Sequence, residues 1–318
     1  MLFGVLLFSA GLLASVEVAP VRASLDVYQG DLLLQGNNVT TVEGKFDING
    51  SIIVEGNSTL VLRNAALNFT QSKNYQYNLT LQNPSNGLPR LLVDNATITS
   101  SNYWFRVNFF GNGTVDASKF RVDSRVQPWA YDNTTVTVRS ANMSQFYTSA
   151  WSNATFYDSG LSECYVRDNS SLQLINSTWA QTLTIENQSK AMIGFYLDVR
   201  VIDSATQNVS GALITATFSG QPTNWTASTA SNGWARLILW QRMKNASGDT
   251  FFPGYNVEAA YASYRNTTTV NMTGNQQITI GLGFVVPEFS TLPLLFLLMT
   301  ATVLAATLHK RRKVLLHA

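Results

Sequence analysis

Gly56-Asn57-Ser58-Thr59-Leu60-Val61-Leu62 is the stretch on which the fold turns. It opens with a turn residue and an asparagine, both at ease in the left-handed backbone region that tight corners require. A small hydroxyl residue follows, and then a strand that alternates polar and apolar. The phrase returns as Asp94-Asn95-Ala96-Thr97-Ile98, Gly111-Asn112-Gly113-Thr114-Val115 and Asp132-Asn133-Thr134-Thr135-Val136. Ser152-Asn153-Ala154-Thr155-Phe156 and Asp168-Asn169-Ser170-Ser171-Leu172 continue it, and Glu186-Asn187-Gln188-Ser189 is a worn copy. From Asn95 onward the spacing between copies drifts but never breaks down. No helical stripe interrupts them. A repeat of roughly twenty residues, made only of short strands and turns, predicts stacked coils, each burying its inward side chains against its neighbours. Stacking also sets Asn above Asn and Thr above Thr. The alternative is an antiparallel sandwich with turns at similar intervals.

The phrase resembles the turn-strand phrase of right-handed parallel β-helix regions in prokaryotic surface proteins. The resemblance implies an all-β chain whose residues 24–192 form a right-handed parallel β-helix (a solenoid). Residues 193–284 predict a second, small β-sandwich. Phe195, Leu197, Val199 and Val201 alternate along one strand, and Ser231-Asn232-Gly233 makes a hairpin turn into Trp234. About seven strands in some ninety residues match an immunoglobulin-like sandwich. Val199-x-Val201, Gly211-Ala212, Thr229-Ala-Ser-Asn-Gly233 and Tyr255-x-Val257 also resemble carboxypeptidase regulatory-like domains. That resemblance implies a non-catalytic spacer.

The termini predict export. Leu2 to Ala14 is an apolar run followed by Val21-Arg22-Ala23, which reads as a signal peptide over residues 1–23. Near the other end, Phe289 to Leu308 holds twenty residues without a charge, and Lys310, Arg311, Arg312 and Lys313 follow. Such a run is long enough for one transmembrane helix, with the basic cluster on the cytoplasmic side and the N-terminus outside. Pro287-Glu288-Phe289 before it resembles the archaeal PEF-CTERM-type sorting tail. That resemblance implies an archaeosortase as a processing partner. The expected divisions are therefore 285–309 for the motif and helix and 310–318 for a basic cytoplasmic tail.

Charge and composition exclude whole classes of function. The 318 residues carry a formal charge of +2, but Arg22 and the terminal cluster hold five of the 21 positive charges. The remainder is nearly neutral and offers no basic surface for nucleic acid. The lone Cys164 permits no internal disulfide, and the only histidines are His309 and His317. Upstream of them, Ser-His-Asp and Cys-His catalysis and the commonest zinc ligand are excluded. No Asp-x-Asp-x-Asp loop is present, so neither metal nor cofactor is expected.

Eighteen Asn-x-Ser/Thr acceptors precede the apolar run. The leading glycosylation candidates are Asn38, Asn57, Asn95, Asn112, Asn133, Asn153, Asn169, Asn187, Asn208, Asn224 and Asn266. Part of this excess is corner chemistry, since tight turns favour asparagine. One charged cluster stands out: Asp116, Lys119, Arg121, Asp123 and Arg125. Its later members alternate and would share a strand face. It is the candidate catalytic set of a polysaccharide-active β-helix enzyme; the plainer reading is a solvated face with ion pairs. Trp104, Trp129 and Trp151 are candidates for stacking on sugar rings, against the plainer role of filling the coils. The expectation is a non-enzymatic, membrane-anchored glycoprotein at the cell surface, serving adhesion or envelope structure, with surface glycans or envelope proteins as partners. The alternative is an anchored lyase or hydrolase.

Overall fold

The computed structural model describes residues 21–22, 27–84, 87–218, 224–252, 254–285, 299–300 and 302. The chain from Tyr28 to Gly194 winds into a parallel β-solenoid of about eight turns. Each turn lays one strand on each of two ladders. The first ladder runs through Val39–Asn49, Thr59–Phe69, Arg90–Ser100, Thr114–Val122, Thr135–Arg139, Asn153–Tyr157, Ser171–Ile175 and Lys190–Ile202. The second runs through Leu32–Leu34, Ile52–Glu55, Asn78–Gln82, Phe105–Phe109, Val126–Ala130, Asn142–Thr148, Gly160–Val166 and Thr178–Ile185. Every pairing between these rungs is parallel, which rules out the antiparallel sandwich for this region.

Register gives the true coil lengths. Val39, Thr59, Arg90, Thr114, Thr135, Asn153, Ser171 and Lys190 stand level on successive rungs. The longest step, from Thr59 to Arg90, holds a surface loop between Phe69 and Asn78. The cross-section then simplifies. Arg121 pairs with Asn142 and Trp129 pairs with Tyr147, so the stretch from Arg121 to Trp129 lies level with the shorter stretch from Asn142 to Tyr147. The three residues lost correspond to the Asp123-Ser124-Arg125 turn. From Asn142 onward one continuous strand replaces two short ones and a bend.

Alternation decides what is buried. Leu60, Leu62, Leu67 and Phe69 point inward from one strand and are fully buried. Their equivalents on every rung form one core that continues from Leu34 to Ile193. Inside it the Phe69 and Phe105 rings stack at 4.0 Å. Cys164 belongs to this core, and burial pushes its thiol up to about 12, so it packs as a small apolar residue.

Two corners carry the left-handed residues. One column is Gly44, Asn64, Asn95, Lys119, Ser140, Asp158 and Asn176, all with φ between 45° and 72°. The opposite corner holds Gly36, Gly56, Gly111 and the pairs Asp132-Asn133, Ala150-Trp151 and Asp168-Asn169. The asparagine phrase therefore belongs to two different places. Asn57, Asn112, Asn133 and Asn169 occupy the second corner, Asn95 occupies the first, and Asn153 lies in a strand level with Thr135.

Just inside the second corner stand Ser58, Thr134, Ser152, Ser170 and Ser189, all buried. The hydroxyls of Ser58, Thr134, Ser152 and Ser170 donate to carbonyls that the corner turns inward, and Ser189 Oγ accepts from the Ser170 amide at 3.2 Å. Ser152 Oγ lies 2.6 Å from Ser149 O and 3.1 Å from Ala130 O, and accepts from the Ser149 amide at 3.1 Å. Thr134 Oγ1 reaches Tyr131 O at 2.5 Å and Phe109 O at 3.1 Å.

The last first-ladder strand, Lys190–Ile202, is shared with a second β unit. Residues Lys190 to Gly194 continue the solenoid, while Lys190 to Arg200 pair antiparallel with Trp234–Asn245 and Leu197 to Ile202 pair with Gln276–Gly281. A separate four-stranded antiparallel sheet runs Trp225–Ser228, Leu213–Phe218, Tyr255–Tyr261, Tyr264–Val270. Both sheets feed a second core that includes Val199, Val201, Ile214, Leu237, Tyr255 and Val257. Tyr255 is fully buried, with its hydroxyl donating to Trp240 O at 2.9 Å.

The expected C-terminal transmembrane helix needs correction. Among the described residues no helix is long and apolar enough to cross a membrane, and helical backbone is confined to Met299, Thr300 and Thr302. Hydropathy sets only the length of an apolar run. Closing the continuous hydrogen-bonded helix that a bilayer demands is a separate requirement, and no described segment meets it. Pro287, Glu288, Lys310 to Lys313 and all of the apolar run from Phe289 to Leu308 except Met299, Thr300 and Thr302 lie outside the described residues, as does most of the signal segment. Val21–Arg22 pairs with Val42 and Glu43.

Two substitutions test this architecture. Ser152→Ala removes the 2.6 Å hydroxyl partner of the buried Thr148 side chain and should cost about 1–3 kcal/mol in denaturant unfolding. A methyl at Gly194 would meet Trp240 Cε3 at 2.7 Å and Leu239 O at 3.0 Å. Gly194→Ala should therefore cost about 1–3 kcal/mol. Gly160→Ala, where the nearest atom is Thr178 Oγ1 at 3.9 Å, should stay close to wild type.

Candidate functional site

Side chains that point away from the solenoid core form columns along its axis. On the first ladder, Arg63, Leu92, Asp94, Asp116, Ser118 and Arg139 surround an open groove of about 320 Å³. Leu92 is 38% exposed and gives it an apolar floor. Asp116 Oδ1 lies 2.7 Å from Arg139 Nη1, and Arg63 Nη1 lies 3.6 Å from Glu43 Oε1. Arg139 also sits 5.3 Å from the centre of the Tyr157 ring. Both partners of the Asp116–Arg139 pair are half-exposed, so its worth is about 0.2–1 kcal/mol. The groove can bind a polar ligand from one side; it does not enclose one.

The charged cluster read from the sequence is divided among separate places. Asp116 lies in this groove. Lys119 is a corner residue at φ 51°, so the backbone bends between Asp116 and Arg121 and breaks the alternation. Arg121 stands exposed on the far side of that corner. Asp123 caps a turn, accepting from the Ser124 hydroxyl at 3.0 Å and the Arg125 amide at 3.3 Å. Arg125 donates to Asn102 Oδ1 at 3.1 Å. Among the described residues no group of three or more metal-ligating side chains comes together.

The outward surface of the second ladder carries a row that the sequence reading missed. Gln127 Nε2 donates to Gln145 Oε1 at 2.9 Å, and Gln145 Nε2 donates to Glu163 Oε2 at 2.8 Å. Beside this row the rings of Trp129 and Tyr147 stack at 3.9 Å and 4°, and those of Tyr147 and Tyr165 at 4.7 Å and 5°. Tyr131 covers Trp129 as well, at 5.5 Å and 8°. Arg106 lies over Tyr75 at 4.6 Å and over Trp129 at 5.6 Å. The only available signal was register: Gln127, Gln145 and Glu163 recur at the same interval as Trp129, Tyr147 and Tyr165.

The three candidate tryptophans differ in what they present. Trp129 packs between Tyr131 and Tyr147, half-buried, with its Nε1 buried and meeting no acceptor among the described residues. Trp104 is half-buried and uses its carbonyl to hold Gln71 Nε2 at 3.0 Å and the Tyr75 amide at 2.7 Å. Trp151 is 62% exposed on a left-handed corner with φ 66°.

The acceptor asparagines divide by what their amide nitrogens do. Asn57 Nδ2 donates to Asn37 at 3.2 Å, Asn95 to Asn64 at 2.8 Å, and Asn187 to Asp168 at 2.7 Å. Asn153 and Asn266 donate to the carbonyls of Trp151 and Gly281 at 3.3 and 2.7 Å. Asn208 accepts from Arg200 at 2.9 Å. Asn38, Asn112, Asn133 and Asn224 are exposed and Asn169 is half-buried; none donates its amide nitrogen within the described residues.

Burial pushes the Tyr147 phenol up to about 12, with the neighbouring Tyr165 and Glu163 adding to the effect. Tyr196 and Tyr255 are likewise pushed up to about 12, chiefly by burial. A folded-state value above the ordinary 10.0 means that the folded chain holds these protons more tightly. Their contribution is complete below about pH 10 and is lost as pH rises toward 12. The thermal midpoint should fall across that window, with ionisation followed at 295 nm, and Tyr147→Phe should flatten part of the fall.

No protein-family model and no curated protein matches this chain. Among solved structures, "The Bacillus anthracis TIE protein" is similar at 14% identity and a TM-score of 0.20. The match covers 29% of this chain and 18% of that one, so this chain spans under a fifth of that structure's length.

Proposed function

We propose that the chain is a non-enzymatic module of the cell surface, serving adhesion or envelope structure, with its solenoid as the displayed part. The observation that carries this reading is how the outward side chains are used. Column after column is engaged with its own neighbours along the axis: the Gln127–Gln145–Glu163 row, the Trp129–Tyr147–Tyr165 stack, and Gln35 and Gln82 both donating to Glu55. Such a surface resists rearrangement and suits a long rigid display. The dispersal of Asp116, Lys119, Arg121 and Asp123 supports the same reading, since paired acid-base work needs groups converging on one reacting atom. The second β unit serves as an immunoglobulin-like spacer. The abundance of acceptor asparagines supports a glycoprotein, and Pro287-Glu288-Phe289 supports an archaeal surface address.

The groove around Leu92 favours one contact chemistry. An aliphatic floor rimmed by Arg63, Asp94, Asp116 and Arg139 matches the mixed apolar and hydroxyl edges of a polysaccharide. The full chain should co-sediment with isolated envelope polysaccharide, and the Arg63→Ala/Arg139→Ala double variant should lose most of that binding. New reducing ends or unsaturated products, abolished by Asp116→Asn, would instead establish the polysaccharide-active enzyme.

A further inference from the structure

We propose that, within the solenoid, N-glycosylation is confined to Asn38, Asn112, Asn133 and Asn169, and that the sugars form one stripe along a single corner. The inference rests on the reading of the chain as an exported glycoprotein. It follows from what the reaction consumes. Asn Nδ2 attacks the anomeric carbon of a lipid-phosphate-linked oligosaccharide. The new C–N bond forms as the bond from that carbon to the phosphate oxygen breaks, the lipid phosphate departs, and an amide proton passes to a base of the transferase. One of the two N–H groups of such an amide is already tied to a carboxylate or a neighbouring asparagine, which holds the side chain against the coil and away from the transferase.

Hydrogen bonding divides the two populations, since Asn57 and Asn187 stand at the same corner as the four. Asn57, Asn95 and Asn187 spend Nδ2 on Asn37, Asn64 and Asp168 of the adjoining coil. Asn176 spends it on Asp158 at 2.6 Å, Asn68 on Asp47 at 3.0 Å and Asn49 on Gln29 at 2.9 Å. Asn153 spends it on the Trp151 carbonyl. Asn78 and Asn142 donate to nothing described, but their backbones are ladder rungs. By contrast, Asn38, Asn112, Asn133 and Asn169 all lie between strands, and their amide nitrogens meet no acceptor among the described residues. Asn133 and Asn169 are each the second of two left-handed residues. In the Asp168-Asn169 pair the first side chain is held by Ser149 and Asn187, while the second is not. All four belong to the corner of Gly36, Gly56 and Gly111. Asn112 and Asn133 stand level on neighbouring coils, since Thr114 pairs with Thr135. The outward faces of both ladders would remain bare of sugar.

Glycopeptide mass mapping of the exported full chain tests the proposal. Asn38, Asn112, Asn133 and Asn169 should carry sugar at several-fold higher occupancy than Asn57, Asn95, Asn142 and Asn187. Equal occupancy across the two sets overturns it, as does an exported chain that carries no sugar at the four corner sites. A chain that is never exported defeats the surface reading instead, and a second measurement then decides the partition. Asp tolerates the same backbone but lacks the amide donor. Asn95→Asp and Asn187→Asp should lower the thermal midpoint by about 2–4 °C each. Asn112→Asp and Asn133→Asp should leave it unchanged; equal losses in both pairs refute the division.

Discussion

Parallel pairing between successive coils is the constraint on which the rest of this molecule depends. A strand in such a stack has a partner above and a partner below, and a slip of one residue would turn its whole inward row to solvent. Each coil must therefore repeat the in-and-out pattern of its neighbours. That is why Leu60, Leu91, Val115, Val136, Ala154 and Leu172 stand level and buried on successive rungs. The same constraint brings outward residues into register about 4.8 Å apart. At that spacing amides, rings and ion pairs meet their own kind, and the surface becomes as ordered as the interior.

The corners show how a loose repeat supports a strict stack. Coil length varies because insertions leave through the turns, at the loop after Phe69 and the bend at Asp123. The rungs on either side stay in register. The hydroxyls of Ser58, Thr134, Ser152 and Ser170 meet the cost of turning the backbone inside a dry core, where an unpaired carbonyl would be expensive. Ser159 and Ser177 play a matching part at the other corner, with Ser177 Oγ accepting from the Ser159 amide at 3.1 Å and Ser159 Oγ accepting from the Ala141 amide at 3.0 Å.

Much of the solenoid was legible because its turns need particular residues. Gly56-Asn57-Ser58 announces a left-handed corner followed by a buried hydroxyl, and its recurrence announces stacking. The reading ran two corners together, since Asn95 and Asn133 satisfy the same backbone need in different places. The charged cluster divides for a related reason. Alternation from Lys119 to Arg125 reads as one face only if the backbone stays extended, and a lysine gives no warning that it will adopt φ 51°. The glutamine row stays hidden because its partners lie a full coil away, a distance that acquires meaning only once the register is known. Most of the C-terminal apolar run lies outside the described residues, and its hydropathy gives its length alone.

The strand Lys190–Ile202 has a mechanical meaning. Two units joined by a flexible linker swivel freely, and tension between them straightens the linker first. Here the joint is a rung. Turning the second unit against the solenoid means breaking the ladder on one side of the strand or the other, and Gly194 lets Trp240 press against the joint without a gap. A pull along the strand loads its flanking hydrogen bonds in shear, many at once, instead of peeling them one by one. The junction is a weld where a hinge would be usual, and it transmits both torque and tension from one core into the other.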